Sequence, residues 1–373
     1  MSNPHLVLFF TEGVSLETWA DVGNLAREVA LYQRLADRGL RVTFVTYGDH
    51  SDLEIASTLP GIEVRCNAFG LPESLYRRGL PLIHAATFLK ADVIKSNQLR
   101  GSDLALRAAK LWRKPMLARF GFSHVEFERL KNGEGSPQHL SAQRLEAAVL
   151  PEASAIEVTT EAMRDEVVGR FPGLAPRTQV IPNYVDEAVF YPATDVATEW
   201  DVIFIGRLEK QKNLPSLLEA LAGQGLKTAI VGEGSLAEEL KGQAKTLDLD
   251  IDWLGNRPNT ELAGLMHRAK VFVLPSHFEG HPKTLIEAMV SGACVVGTDV
   301  AGTGAVIDHE RSGLLCTTDA QSIRAALQRA LVDEGLRKRL SQTAAETARA
   351  RFGLTTVADQ EYQLIQRLAA KGG

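Results

Sequence analysis

The stretch "VIPNYVDEAVFYPATDVATEW", residues 180–200, decides how the chain is read. It carries Pro182 and Pro192 and no clear period, the texture of a linker rather than of a strand or helix. Before it, short apolar runs alternate with longer helical patterns. "HLVLFF" leads to "NLAREVALYQRLADRG", where Leu25, Val29 and Leu35 recur at helical spacing and Gly39 ends the helix. "RVTFVTYG", "ADVIKSN", "LALRAAKLWR", "PMLARFG", one long helical stretch to about Leu150, and "SAIEVTT" follow. After the linker the rhythm starts afresh with "DVIFIGRL", "NLPSLLEALAGQG", "KTAIVGEGS", "LAEELKGQAKTL", "IDWLGN", "NTELAGLMHRA", "VFVLPSH", "KTLIEAMVSG" and "ACVVGTD".

Apolar strands alternating with helices indicate parallel sheets covered on both faces. The expected fold is α/β: two facing Rossmann-like, doubly wound parallel-sheet domains with a cleft between them. The expected boundaries are 1–183 and 184–353, with a C-terminal helix over 354–373. Open parallel sheets bind ligands at the carboxyl ends of their strands, so the cleft is the expected site.

Bulk properties fit this reading. A length of 373 residues accommodates two cores, and 45% hydrophobic with 23% charged residues is an ordinary globular composition. A net charge of -5 argues against an extended nucleic-acid surface. Cys66, Cys294 and Cys316 lie far apart in apolar settings, as in a reduced cytosolic protein. The opening apolar run is too short for a signal or membrane span, so a cytoplasmic protein is expected, in reach of the inner face of the membrane.

The chemistry concentrates in "HFEGHPKTLIEAM", residues 277–289. Pro282 suits the first position of a helix, which places Glu279, Gly280 and His281 in the loop ahead and Glu287 within the helix. Amides of Lys283, Thr284 and Leu285 at such a helix start favour an anion. Two carboxylates beside a phosphate site suit a phosphorylated, hydroxyl-rich ligand such as a nucleotide sugar. The alternative is a surface loop running into a solvated helix. "FIGRLEKQKN" sets Arg207 just after a strand and Lys212 five residues on, two cations able to neutralise a diphosphate. "VGEG", with Gly232 and Gly234, reads as a tight turn permitting close approach. Asp248, Asp250 and Asp252 in "LDLDID" read as a polar strand entry rather than a metal site.

Taken together, "VIPNYVDEAVFYP", "FIGRLEKQKNLPSLLEAL", "IVGEGSLAEEL" and "WLGNRPNTELAGLMHRAKVFVLPSHFEGHPKTLIEAMVSGACVVGTDVAGTGAVIDHERSGLL" resemble glycosyltransferase family 4, retaining enzymes of the GT-B fold. The resemblance is dense over residues 180–316 and looser before, where "GNLAREVALYQRLADRGLRVTFVTYG" carries it. It implies that Glu279 contacts donor-sugar hydroxyls and that Glu287 holds the ribose. Arg207 and Lys212 would bind the diphosphate with helix amides near Thr284, backbone around Asn256 and Arg257 would receive the base, and Gly23 would let the first helix approach the phosphates. No metal or other cofactor is implied. The C-terminal helix, with Tyr362, Ile365 and Leu368, would pack back on the N-terminal domain.

Two departures stand out. The family's strand-end histidine is replaced at Phe120 or Gly121, with Arg119 or His124 as stand-ins; otherwise His124 is a loop residue without a role. Ala305 stands where relatives often have glutamate. On the acceptor side, Arg77, Arg78 and Lys90 in "LPESLYRRGLPLIHAATFLK" suit a lipid surface, an acidic acceptor or a mixed surface helix. The expected function is transfer of a sugar from a nucleotide-diphosphate donor to a glycan, lipid-linked or small-molecule hydroxyl, with weak peripheral membrane association and no nucleic-acid partner. The alternatives are a catalytically weak nucleotide-sugar-binding scaffold and a nucleotide-sugar epimerase. A dehydrogenase is disfavoured, because neither half has Gly-x-Gly-x-x-Gly after its first strand.

Overall fold

The structure, a computed structural model, describes residues 3–371. They form two compact units: the chain up to Pro182 joined by residues from Val357 onward, and Asn183–Thr356. Among the described residues no helix is long and apolar enough to cross a membrane.

The first unit is built on seven strands: β1 (His5–Phe9), β2 (Arg41–Val45), β3 (Ile62–Arg65), β4 (Val93–Ser96), β5 (Met116–Phe120), β6 (Ala155–Val158) and β7 (Thr178–Val180). Their order is β3-β2-β1-β4-β5-β6-β7, and each neighbouring pair is parallel. β1 is wholly buried, which is why it reads as an uninterrupted apolar run. The second unit has β8 (Trp200–Ile205), β9 (Thr228–Val231), β10 (Ile251–Gly255), β11 (Ala269–Leu274), β12 (Cys294–Thr298) and β13 (Leu314–Cys316). They run β10-β9-β8-β11-β12-β13, again all parallel. The two doubly wound sheets are those required by the apolar runs.

Three strands escaped the sequence reading: β3, β7 and β13. Each is at a sheet edge and only three or four residues long, so its apolar signal is weak. The single long helix expected up to Leu150 is two helices, His124–Asn132 and Pro137–Val149. Gly133 and Gly135 between them take φ of 91° and 75°, and Ser136 caps the second by accepting from the His139 amide. A short helix, Leu16–Asp21, precedes the first long one; Ser15 and Thr18 form a reciprocal cap at its start. His124, read as a loop residue in one alternative, is the first residue of its helix behind the Ser123 cap.

Buried charge ties the last helix, Leu354–Lys371, into the first unit. Lys95 on β4 is completely buried and lies 2.8 Å from Glu157 on β6, and it also pairs with Glu361 of the last helix. Arg119 on β5 binds the other Glu157 oxygen at 2.8 Å. Desolvation opposes ionisation of Glu157, but Lys95 and Arg119 outweigh it and hold that carboxyl below its ordinary range. Burial first, and then the neighbouring Glu157, push Glu361 up to about 7 against the pull of Lys95.

Candidate active site

In the second sheet the chain crosses from one side of β8 to the other, so that β8 and β11 are adjacent although distant in sequence. Such a switch in strand order leaves a crevice at the carboxyl ends of the two strands. Arg207 follows β8 and Glu279 follows β11. Arg207 is exposed, with only a long 3.5 Å contact to Gln211 Oε1. Lys212, further along the same loop, pairs directly with Glu279; both side chains are largely covered. Ser276 Oγ donates a second hydrogen bond to the same Glu279 oxygen at 2.7 Å. The Glu279 carboxylate is thus held by a cation from the β8 loop and a hydroxyl from its own.

The two loops are pinned to one another by amide side chains. Gln211 Nε2 donates to Phe278 O at 2.9 Å, and the Gln211 backbone carbonyl accepts from the His277 amide at 2.8 Å. Asn213 is buried in a left-handed conformation and donates to Pro275 O and Thr318 O. Glycines let backbone meet backbone here. At Gly232 φ is +130° and a Cβ would lie 2.0 Å from Gly206 O, so the β9 turn sits directly against the β8 loop. At Gly302 a Cβ would come within 2.4 Å of both Glu279 O and Gly280 O. The loop after β12 therefore packs on the backbone of the glutamate loop.

The helix runs Lys283–Val290, with Pro282 in extended conformation just ahead of it rather than at its first position. The first-turn amides of Lys283, Thr284 and Leu285 precede the intrahelical bonds and present partial positive charge at this end. Leu285 itself is fully buried, so only its backbone is offered. Glu287 is buried one turn further, and Asn259 Nδ2 donates to its Oε1 at 3.0 Å. His281 is also buried: its Nδ1 accepts from the Asn183 amide at 3.2 Å, and its ring packs edge-on to Phe352. Asn256 and Arg257 are exposed after β10, where the Arg257 guanidinium folds back on Leu254 O at 3.0 Å.

This arrangement has recognisable relatives. The model described as Glycosyl transferases group 1 matches residues 192–347, and the model described as Glycosyltransferase Family 4 matches residues 29–189. The chain belongs to the family 4 glycosyltransferases. It is 26% identical over 329 residues to a glycogen synthase of Mycobacterium tuberculosis, covering 84% of this chain and 78% of that protein. It is 25% identical over 390 residues to a D-inositol 3-phosphate glycosyltransferase of Corynebacterium jeikeium, covering 94% and 91%. Among solved structures, Anabaena HepE in complex with UDP and glucose is similar with a TM-score of 0.77 at 19% identity, covering 97% of this chain and 99% of that one. Sucrose-phosphate synthase of Thermosynechococcus elongatus gives a TM-score of 0.78 at 21% identity, with 99% and 100% covered. These two likenesses establish the GT-B fold of this glycosyltransferase.

The remaining sequence candidates belong to the first unit. Gly23, with φ of 70°, joins the short helix to the long one that begins at Leu25. Arg119 is committed to Glu157 and donates to Asn97 O at 3.1 Å, so its guanidinium belongs to the buried charge cluster. His124 is half-covered, and burial lowers its pKa despite Glu128 Oε1 at 3.9 Å from Nδ1. Ser276, Asn259, Gln211 and Gly302 were missed by sequence reasoning. Only Ser276 carried a signal, as a hydroxyl three residues ahead of Glu279 at a strand end.

Proposed function

We propose that this glycosyltransferase is a retaining enzyme that takes its sugar from a nucleotide-diphosphate donor without a metal ion. The observation that carries the reading is the Lys212–Glu279 pair at the switch point between β8 and β11, with Arg207 on the same β8 loop and the Lys283 helix start beside Glu279 in the chain. Glu279 receives donor-sugar hydroxyls and Glu287, held by Asn259, receives the ribose. Arg207, Lys212 and the amides of Lys283, Thr284 and Leu285 take the diphosphate. Asn256 and Arg257 offer backbone to the base. The UDP and glucose bound to Anabaena HepE, a protein of the same fold, support this class of donor.

In the reaction the bond from anomeric carbon to diphosphate oxygen breaks, and its electron pair leaves with the diphosphate. The acceptor oxygen bonds to the same carbon from the same face, and its proton passes to the departing phosphate oxygen. Cationic stabilisation of that leaving group is the largest electrostatic contribution. The relatives named as glycogen synthase and D-inositol 3-phosphate glycosyltransferase support a hydroxyl acceptor on a glycan or a small polyol.

Proton NMR of the sugar released from the preferred donor tests the stereochemistry: the first anomer to form should match the donor, with EDTA present or absent. An inverted first product, or activity abolished by EDTA and restored by a divalent ion, contradicts the reading. Arg207→Ala should lower kcat on the order of 100-fold, about 3 kcal/mol, without lowering Tm, because the side chain is exposed. An unchanged rate removes Arg207 from the reaction.

A further inference from the structure

The loop that carries Glu279 is fixed at both ends. At its start, Gln211 of the β8 loop bonds the His277 amide and Phe278 O. At its far end stands His281, held twice by Asn183. His281 Nδ1 accepts from the Asn183 amide at 3.2 Å, and His281 O accepts from Asn183 Nδ2 at 2.8 Å. The Ile286 amide of the following helix bonds Pro282 O, while the carbonyl one residue earlier goes to Asn183. Asn183 and His281 are both buried, where an unpaired polar group is costly.

Asn183 is the first residue of the second unit, where the chain arrives from Pro182, and the chain leaves that unit after Thr356. The arriving and departing segments are laced together. Val185 N donates to Phe352 O at 2.8 Å, and Val185 O accepts from the Leu354 amide at 2.9 Å. The Glu187 carboxylate also accepts from that amide, and a Cβ on Gly353 would lie 2.1 Å from Glu187 Oε1. Phe352 packs on the His281 ring with centroids 5.1 Å apart. Arg351 donates to Ala305 O at 3.1 Å, three residues beyond the Gly302 that lies against Glu279 O and Gly280 O. The glutamate loop and both connecting segments therefore form one bonded and packed block.

We propose that Asn183 and His281 are positioning residues: through them the two connecting segments hold Glu279 in place, and a disturbance of the glutamate loop reaches those segments. The role of Glu279 here rests on the donor reading; the coupling itself does not. Amide exchange of the ligand-free protein tests the coupling. Lys212→Ala, which loosens Glu279, should speed exchange over residues 183–185 on the order of tenfold. In His281→Phe, which keeps a ring but removes the acceptor, that segment should already exchange fast, and adding Lys212→Ala should change nothing further. Unchanged exchange over 183–185 in Lys212→Ala overturns the proposal.

Kinetics use whichever of UDP-, GDP-, ADP- and TDP-glucose raises the Tm of the wild type. Asn183→Ala and His281→Phe should lower kcat on the order of 10-fold with the donor KM nearly unchanged, since a misaligned loop costs rate. His281→Asn, whose Oδ1 replaces Nδ1 as acceptor, should restore most of the rate. Lower Tm in these variants with kcat untouched overturns the proposal and leaves the clamp a structural tie. If none of the four donors raises the Tm, the donor reading fails, and the exchange result still decides the coupling.

Discussion

Lys212→Ala should lower kcat/KM on the order of 1000-fold, about 4 kcal/mol, more than the loss of Arg207. Arg207 is exposed and in the proposed reaction would serve the diphosphate alone, whereas Lys212 pairs with Glu279 and would be shared between that carboxylate and the leaving group. Removing it deprives the diphosphate of a cation and leaves Glu279 held by Ser276 Oγ only through one oxygen. The carboxylate is then poorly oriented for the sugar hydroxyls. A covered carboxylate stripped of its cation also costs stability, about 1–3 kcal/mol. Calorimetric unfolding alongside kinetics separates the two effects. Adding Glu279→Gln to Lys212→Ala should recover much of the stability, because the uncompensated charge is gone, yet activity should stay at the floor. Recovery of both together would make the pair a structural tie with no part in transfer.

The largest stability effect is expected in the first unit, at Lys95. Lys95→Met keeps roughly the same volume but removes the cation between Glu157 and Glu361, all three being buried. Breaking a buried pair on one side costs about 3–5 kcal/mol, as denaturant unfolding would measure. The cluster also gives the fold a pH dependence of definite sign. Glu361 titrates near 7 in the folded chain, above its ordinary range, so the folded state holds the extra proton between the two values. Its stabilising proton is fully present at acid pH and lost as pH rises through about 7. Glu157 is depressed, so its contribution is present above the ordinary carboxyl range and lost in stronger acid. Wild type should therefore lose more stability between pH 5 and pH 8 than Glu361→Gln, which has no proton to release there. Parallel pH profiles for the two would show that Glu361 does not titrate in this window.

Much of the architecture was legible because a parallel strand covered on both faces has to be apolar throughout. The buried runs Leu6–Phe9 in β1, Val202–Ile205 in β8, Val271–Leu274 in β11 and Cys294–Val296 in β12 each announce themselves this way. Proline at 282 similarly fixed where its helix begins. Short edge strands lack that signal, and the break at Gly133 and Gly135 was hidden by helical residues on both sides. The site was legible as residue types but not as partnerships. Lys212 and Glu279 are 67 positions apart, Asn259 and Glu287 are 28 apart, and no local pattern ties them. The same is true of Lys95 and Glu361, separated by 266 positions. The sequence does carry one hint: a lysine inside the apolar run "ADVIKSN" demands a buried counter-charge. The sequence could not say that the final helix supplies part of it.

The decisive experiment is a thermal-shift series with UDP-, GDP-, ADP- and TDP-sugars on the wild type and on Lys212→Ala. One nucleotide should stabilise the wild type by about 2.7 kcal/mol at 100 times its dissociation constant, with EDTA making no difference. The same ligand at the same concentration should stabilise Lys212→Ala far less. No shift with any donor, or an equal shift in both proteins, would contradict a donor site built on Lys212 and Glu279.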